Sequence, residues 1–406
     1  MKIRHTLLVF LSLSLPATFA AGGEEETTAI KAGKILTISG DPIADGTILI
    51  QNGKITAVGA DVEIPDGATV IDAGKSVVMP GLVDARAITA VRGDTNEQSD
   101  EMTPTFRISS ALDPHSKTLK RMVQNGVTTV YVPPGGQNLI CGLGAVIKPI
   151  GKTAREMVIK DDAALHIIMG SDSTRGNRIP WYNRPTDFYY RRPTTRMAVA
   201  WMLRKSFFDA QQYAKSHEQR NPEMDVLSAA LKGDIPIRVT VRRAIDIRTA
   251  FRIADEYGLK LVVDECTEGY KVASLIAEKK APVVLGPFYF YPGSYSQYSE
   301  GREVNWNNAG ILVEAGVKVA LASGAQPGAH DLLATATFAV RQGMPADHAL
   351  RAITLTAAEI LGVADQVGSL EEGKAANILI LSGNPLIATS RIERVLLGGE
   401  TVFPGG

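Results

Sequence analysis

An excess of charge of either sign is the first thing this 406-residue sequence lacks: Lys and Arg number 43, and so do Asp and Glu. A balanced chain offers no net field to hold nucleic acid or an anionic membrane, so neither is an expected partner. Cysteine is nearly absent as well. Cys141 and Cys266 are the only two thiols, too few for a disulfide framework, and they read as half-buried free thiols. The apolar run from Leu7 to Leu15 is too short to span a bilayer. With Lys2 and Arg4 before it and the small-residue end at Ala20, it reads as a secretory signal over residues 1–20, and the expected location is secreted or periplasmic. No G-x-G-x-x-G follows the first strand, and GLG at 142–144 is too little to replace it, which argues against a dinucleotide cofactor.

What is present is a hydrophobic fraction of 45%, enough for a sizeable core in a chain of this length. The stretch KILTISGDPIADGTILIQNGKITAVGADVEIPDGATVIDAGKSVVMPG alternates apolar and polar residues between DP, DG, NG and PDG turns, the signature of antiparallel strands. GSLEEGKAANILILSGNPLIATSRIERVLLGGETVF near the other end has the same texture. Neither piece carries enough strands to close a core alone, so residues 28–79 and 366–405 are expected to pair into one composite β domain. Between them, over 80–365, the strand-like runs GVTTVYV, IPIRVTV, LKLVVDEC, APVVLGP and VKVALASG alternate with amphipathic helical stretches such as IRTAFRIADEYG and LLATATFAVRQG. That rhythm favours a parallel sheet of (β/α)8 type, with a doubly wound sheet as the alternative. Residues 176–196, rich in Arg, Pro and Tyr, read as a surface loop, and MAVAWMLRKSFFDAQQYAKSHEQ after it as a helix with a solvated charged face.

NGKITAVG, PGLVD, NGVTTVYV, GLGAVIK, IPIRVTVRRAIDIRTAFRIADEYGLKLVVDECTEGYKVA, GVKVALAS and ALRAITLTAAEILGVADQVGSLEEGKAANILIL together resemble the amidohydrolase superfamily, in particular the imidazolonepropionase-like group. The resemblance implies a (β/α)8 barrel with a urease-like composite β domain, and a chemistry in which zinc or another divalent metal activates water to hydrolyse C–N bonds. It also implies where the metal ligands should stand. Two histidines ending the first barrel strand match Arg86 and Ile88, the histidine of the fifth matches Thr240, that of the sixth matches Glu265, and the aspartate of the eighth matches Gly324, between Ser323 and Ala325. A guanidinium and a branched alkane cannot donate a lone pair to a metal. Lys148 aligns with the bridging lysine that some members have.

On these residues the expectation is a protein with no bound metal or other cofactor, a non-catalytic binding or structural relative of the hydrolases. A working hydrolase of atypical C–N chemistry is the alternative. A small molecule is the expected ligand, and self-assembly is left open. A nucleophile reading is open at Cys266, Thr240 and Ser323, but no histidine accompanies them in a recognisable arrangement. Of the six histidines, His166 in AALHIIMG reads as helical, His217 and His348 lie on polar helix faces, and only His330, after a PGA turn, reads as near the barrel mouth. By period two, Arg238, Thr240 and Arg242 share a face, as do Val263 and Glu265. Arg86, Lys148, Arg242 and Glu265 are therefore the candidate pocket residues, with Arg86 or Arg242 expected to pair with Glu265.

Overall fold

The computed structural model describes residues 27–97, 99–174, 192–216, 219–286, 303–324 and 331–404. The signal stretch 1–20, most of the 176–196 loop, His217, His330 and Ala325 lie outside the described residues.

Alternation near the start of the chain produces β1 (Thr27–Ile35), β2 (Ile43–Gln51), β3 (Lys54–Gly59) and β4 (Thr69–Pro80). Asn52 and Gly53 reverse the chain between β2 and β3 with φ of 51° and 76°, the left-handed pair that a tight hairpin requires. The barrel strands follow: β5 (Leu82–Asp84), β6 (Val127–Val132), β7 (Ile140–Ile147), β8 (Val158–Ile168), β9 (Ile237–Val241), β10 (Leu261–Glu265), β11 (Val283–Leu285) and β12 (Val319–Leu321). The chain then returns to the first sheet through β13 (Ile378–Leu381), β14 (Ile392–Leu397) and β15 (Glu400–Pro404).

The first sheet runs in the order β15-β14-β13-β4-β1-β2-β3, so the two chain ends are joined at the antiparallel β4–β13 pair. It also closes on itself. Ile55 N donates to Lys374 O at 2.9 Å and Ala376 N to Gly53 O at 2.8 Å. The result is a sandwich whose core, Ile30, Ile35, Ile48, Ile50, Ile55, Val78, Ile378, Ile380 and Leu396, draws on both ends of the chain. In this sheet β4 ends at Pro80, and the C-terminal strands begin at Ile378.

The second sheet has eight strands in sequential order from β5 to β12, and a parallel bridge between Ala87 and Gly324 closes it into a barrel. Within this TIM-like fold one strand departs from regular alternation: β7 runs antiparallel to both β6 and β8. Only residues 133–139 separate β6 from β7, too few for the helical crossover that a parallel pair needs. Every second side chain faces the axis. Tyr131, Val83, Ala85, Ala164, Val262, Val284 and Ala320 fill the interior, while Val130, Leu165, Val239, Val263, Val283 and Leu321 pack outward against helices that include Ala244–Tyr257 and Leu332–Arg341. Both cysteines are free and fully buried, not half-buried, and burial pushes both thiols far above their ordinary range. Among the described residues no helix is long and apolar enough to cross a membrane.

Candidate functional site at the barrel mouth

Small interior residues low in the barrel, such as Ala164 and Ala320, give way toward the C-terminal ends of the strands to charged ones. From β9, Arg238 and Thr240 face inward; from β10, Asp264; from β8, His166; all four are buried. Arg238 grips Asp264 bidentately, Nη2 to Oδ1 at 2.6 Å and Nε to Oδ2 at 3.1 Å, and its guanidinium carbon lies 4.0 Å from the centre of the Tyr131 ring. An ion pair in that geometry is both a charge match and a planar hydrogen-bond match. Burial opposes the Arg238 charge, but the Asp264 carboxylate outweighs it and holds the guanidinium pKa above its ordinary value.

Alternation then breaks. Glu265 has φ of +67° and Cys266 of +44°, left-handed values that cost a residue with a side chain on the order of 1–2 kcal/mol each. The twist swings Glu265 off the outward face and over the mouth. There its Oε1 lies 3.0 Å from Arg86 Nη1 and its Oε2 lies 2.5 Å from Arg242 Nε. Arg242 in turn pairs through Nη1 with Asp172. Burial raises the Glu265 pKa, but Arg242 and Arg86 outweigh it, and the carboxyl stays below the usual range. Arg86 Nε approaches Asp264 Oδ2 at 3.8 Å, which joins the two carboxylates into one network.

Thr240 Oγ1 lies 3.3 Å from His166 Nε2, and His166 Nδ1 lies 3.9 Å from Asp264 Oδ2. Burial first, then the Arg86 and Arg238 charges, drive the imidazole pKa well below its ordinary value, so the ring is neutral. At the closing seam Asp84 Oδ2 accepts from Ser323 Oγ at 2.5 Å, and its Oδ1 accepts from the amides of Ser323 and Arg86. Burial raises Asp84 to about 6 against those hydrogen bonds.

Of the positions picked out from the sequence, Arg86, Arg242 and Glu265 meet as expected, with both arginines on the one glutamate. Thr240 borders the same cluster. Gly324 carries the barrel closure, its N donating to Arg86 O at 3.0 Å and its O accepting from Ile88 N at 3.2 Å, while the Ile88 side chain is 36% exposed. Lys148 does not join them. Its amide donates to Met157 O, beside the first residue of β8, and His166 lies eight residues further along that strand, roughly 26 Å at strand rise. The reversed direction of β7 puts its C-terminal end at the wrong end of the barrel. His166 is on a strand, not a helix, and the shared face on β10 belongs to Val262 and Asp264, with Val263 packed outward. Asp264, His166 and Asp172 were thus missed. Of the nucleophile candidates, the Ser323 hydroxyl is spent on Asp84, and Cys266 is sealed in the core. His348 sits exposed against Asp347. Among the described residues no three His, Cys, Asp or Glu side chains are grouped so as to hold a metal ion.

The amidohydrolase family model matches residues 247–402. A crystal structure of an amidohydrolase from Thermotoga maritima MSB8 is 31% identical, with a TM-score of 0.84 over 93% of this chain and 100% of that one. An imidazolonepropionase from Porphyromonas gingivalis is 26% identical over 98% of both chains. Amidohydrolase tasK of Hapsidospora irregularis is 22% identical over 88% of this chain, which spans 40% of the length of that protein.

Proposed function

This chain belongs to the amidohydrolase superfamily, and from that premise we propose that it is a secreted or periplasmic member in which an ion-pair network replaces the metal centre, so that the barrel serves as a binding or structural protein. The observation that carries the reading is the Arg86–Glu265–Arg242 bridge. A divalent ion needs three or four lone-pair donors. At the matching positions the carboxylate of Glu265 has both oxygens engaged by guanidinium groups, and Arg86 itself is a fixed cation. A doubly charged ion about 4 Å from one arginine would be repelled by about 8 kcal/mol at an effective dielectric of 20. The residues present therefore do not fit the family's metal. A small molecule is the ligand class that the balanced surface charge favours.

A second reading has one observation behind it: Thr240, His166 and Asp264 stand in hydroxyl, imidazole, carboxylate order, the order of a hydrolase of unusual C–N chemistry, although at 3.9 Å His166 Nδ1 makes no hydrogen bond to Asp264. The pKa argues against it, because an imidazole held neutral by burial and two arginines is a poor general base. Elemental analysis of the purified full chain, as isolated and after incubation with Zn²⁺ and dialysis, separates the two when combined with turnover of a panel of amides and cyclic ureides. The expected result is no stoichiometric metal and no turnover. About one zinc per chain, with activity lost on its removal, overturns the proposal; metal-free turnover abolished in Thr240→Val selects the second reading. N-terminal sequencing of protein recovered outside the cytoplasm, expected to begin after Ala20, tests the location.

A further inference from the structure

The helix Arg196–Tyr213 is apolar on two opposite sides. Val199, Met202, Leu203, Phe207 and Ala210 are buried against the barrel. On the other side Met197, Trp201 and Phe208 are 79%, 57% and 52% exposed. Spacings of four and seven residues put these three in one stripe along a helix about 27 Å long. Ile245, 58% exposed, extends the stripe at its N-terminal end, because its neighbour Asp246 is held bidentately by Arg196 at 2.8 and 3.1 Å. The adjacent helix Ala244–Tyr257 otherwise shows water what a solvated helix shows: Arg248, Arg252, Asp255 and Glu256. At about 150–250 Å² for a large side chain, the four apolar residues expose roughly 500 Å², the upper part of the range for a soluble monomer and a size that marks an interaction surface.

We propose that this stripe is the contact surface for a second copy of the same chain. Its rim holds Arg204 bonded to Glu256 at 2.5 and 2.7 Å and Lys205 paired with Asp209. At the crossing point the charges are thus paired and carry both signs, so a copy related by a twofold axis meets no unpaired charge there; Arg248 and Arg252 lie on the adjacent helix, to one side of it. In an antiparallel crossing centred between Arg204 and Lys205, Trp201 of each protomer faces Phe208 of the other, and each central cation brings its own carboxylate. An isologous contact demands that kind of self-complementarity. Roughly 500 Å² of apolar surface with a paired polar rim approaches the about 800 Å² per partner of a standard interface.

Sedimentation velocity of the full chain across a concentration series tests this. A dimer is expected, with Trp201→Glu weakening it by at least about 30-fold, as loss of an aromatic hot spot does, and leaving the thermal melting curve of the monomer in place. A wild-type chain that stays monomeric at tens of micromolar overturns the proposal. So does a Trp201→Glu protein that still dimerises, or one whose monomer melts markedly earlier, since the stripe would then be covered from within its own chain. Lys205→Cys is expected to form a symmetric disulfide on mild oxidation, the two native thiols being buried; failure to cross-link while the dimer persists overturns the antiparallel crossing.

Discussion

Two interiors, one in the composite sandwich and one at the barrel mouth, cohere by opposite means, and the mouth is the wetter of the two, with Arg242 and Asp172 only partly buried. The sandwich core is aliphatic, with five isoleucines from β1, β2 and β3 meeting Ile378, Ile380 and Leu396. At the mouth, Arg86, Arg238 and Arg242 meet Asp264, Glu265 and Asp172. Hydrophobic contact is non-directional, and losing part of it costs in proportion to the area or cavity involved. A buried ion network has no such gradation: it is balanced as a set, and removing one member leaves a bare charge behind. The mouth is therefore expected to tolerate substitution poorly although it adds little net stability, while the sandwich tolerates it in small steps.

The largest way to break that contrast is to remove one side of the sandwich. Truncation before Val367 deletes β13, β14 and β15 and bares β4; an insoluble product is expected, and a soluble one with β1–β4 still protected from hydrogen exchange would contradict a shared core. Next is Asp264→Ala, which leaves the buried Arg238 with no carboxylate; a loss of about 3–5 kcal/mol is expected in urea denaturation, with Glu265→Ala at the lower end of the same range. A loss under about 1 kcal/mol in both variants would reject the balanced network. Ile48→Ala in the sandwich should cost about 2–4 kcal/mol, the ordinary result for a large-to-small core change.

A smaller effect is expected at the barrel seam and depends on pH. Asp84 is raised from 3.8 to about 6 in the folded protein. Between those values the unfolded chain gives up the proton and the folded one keeps it, so folded stability falls as pH rises from 4 to 6 and levels off above. Asp84→Asn, which keeps the hydrogen bonds of the protonated acid, should remove on the order of 2–3 kcal/mol of that fall. Denaturation of the two proteins at pH 4, 5, 6 and 7 checks it, and parallel pH profiles would contradict it. Smallest of all is Arg107→Ala, which breaks a half-exposed pair with Asp162 and should cost under about 1 kcal/mol.

The sandwich was legible from the sequence because the Asn52-Gly53 and Pro65-Asp66-Gly67 turns fall where β2, β3 and β4 end and begin, although Asp45 and Gly46, which also read as a turn, lie inside β2. Arg86 and Glu265 were legible through the family resemblance at strand ends, and Arg242 through period two along the run that holds Arg238 and Thr240. His166 was not, since AALHIIM is apolar enough to suit either a helix or a strand buried on both faces, and periodicity cannot separate the two. Asp264 was hidden for another reason. Period two puts Val263 with Glu265, and it takes the left-handed turn at Glu265 and Cys266, which no propensity favours in residues with side chains, to bring two adjacent carboxylates to one mouth. Lys148 failed on topology: nothing in GLGAVIK says that the strand runs backwards.

The pairing of β4 with β13 has a consequence during synthesis. β4 ends at Pro80 and its partner begins at Ile378, so at about 5–20 residues per second the ribosome needs roughly 15–60 seconds to deliver the strand that completes the sheet. Until then the flank of β4 that will receive β13 is an open row of amides and carbonyls beside an aliphatic face, the kind of edge that templates pairing with other nascent chains. Yield in a cell should therefore depend on how long that edge stays sheltered more than on the stability of the finished fold.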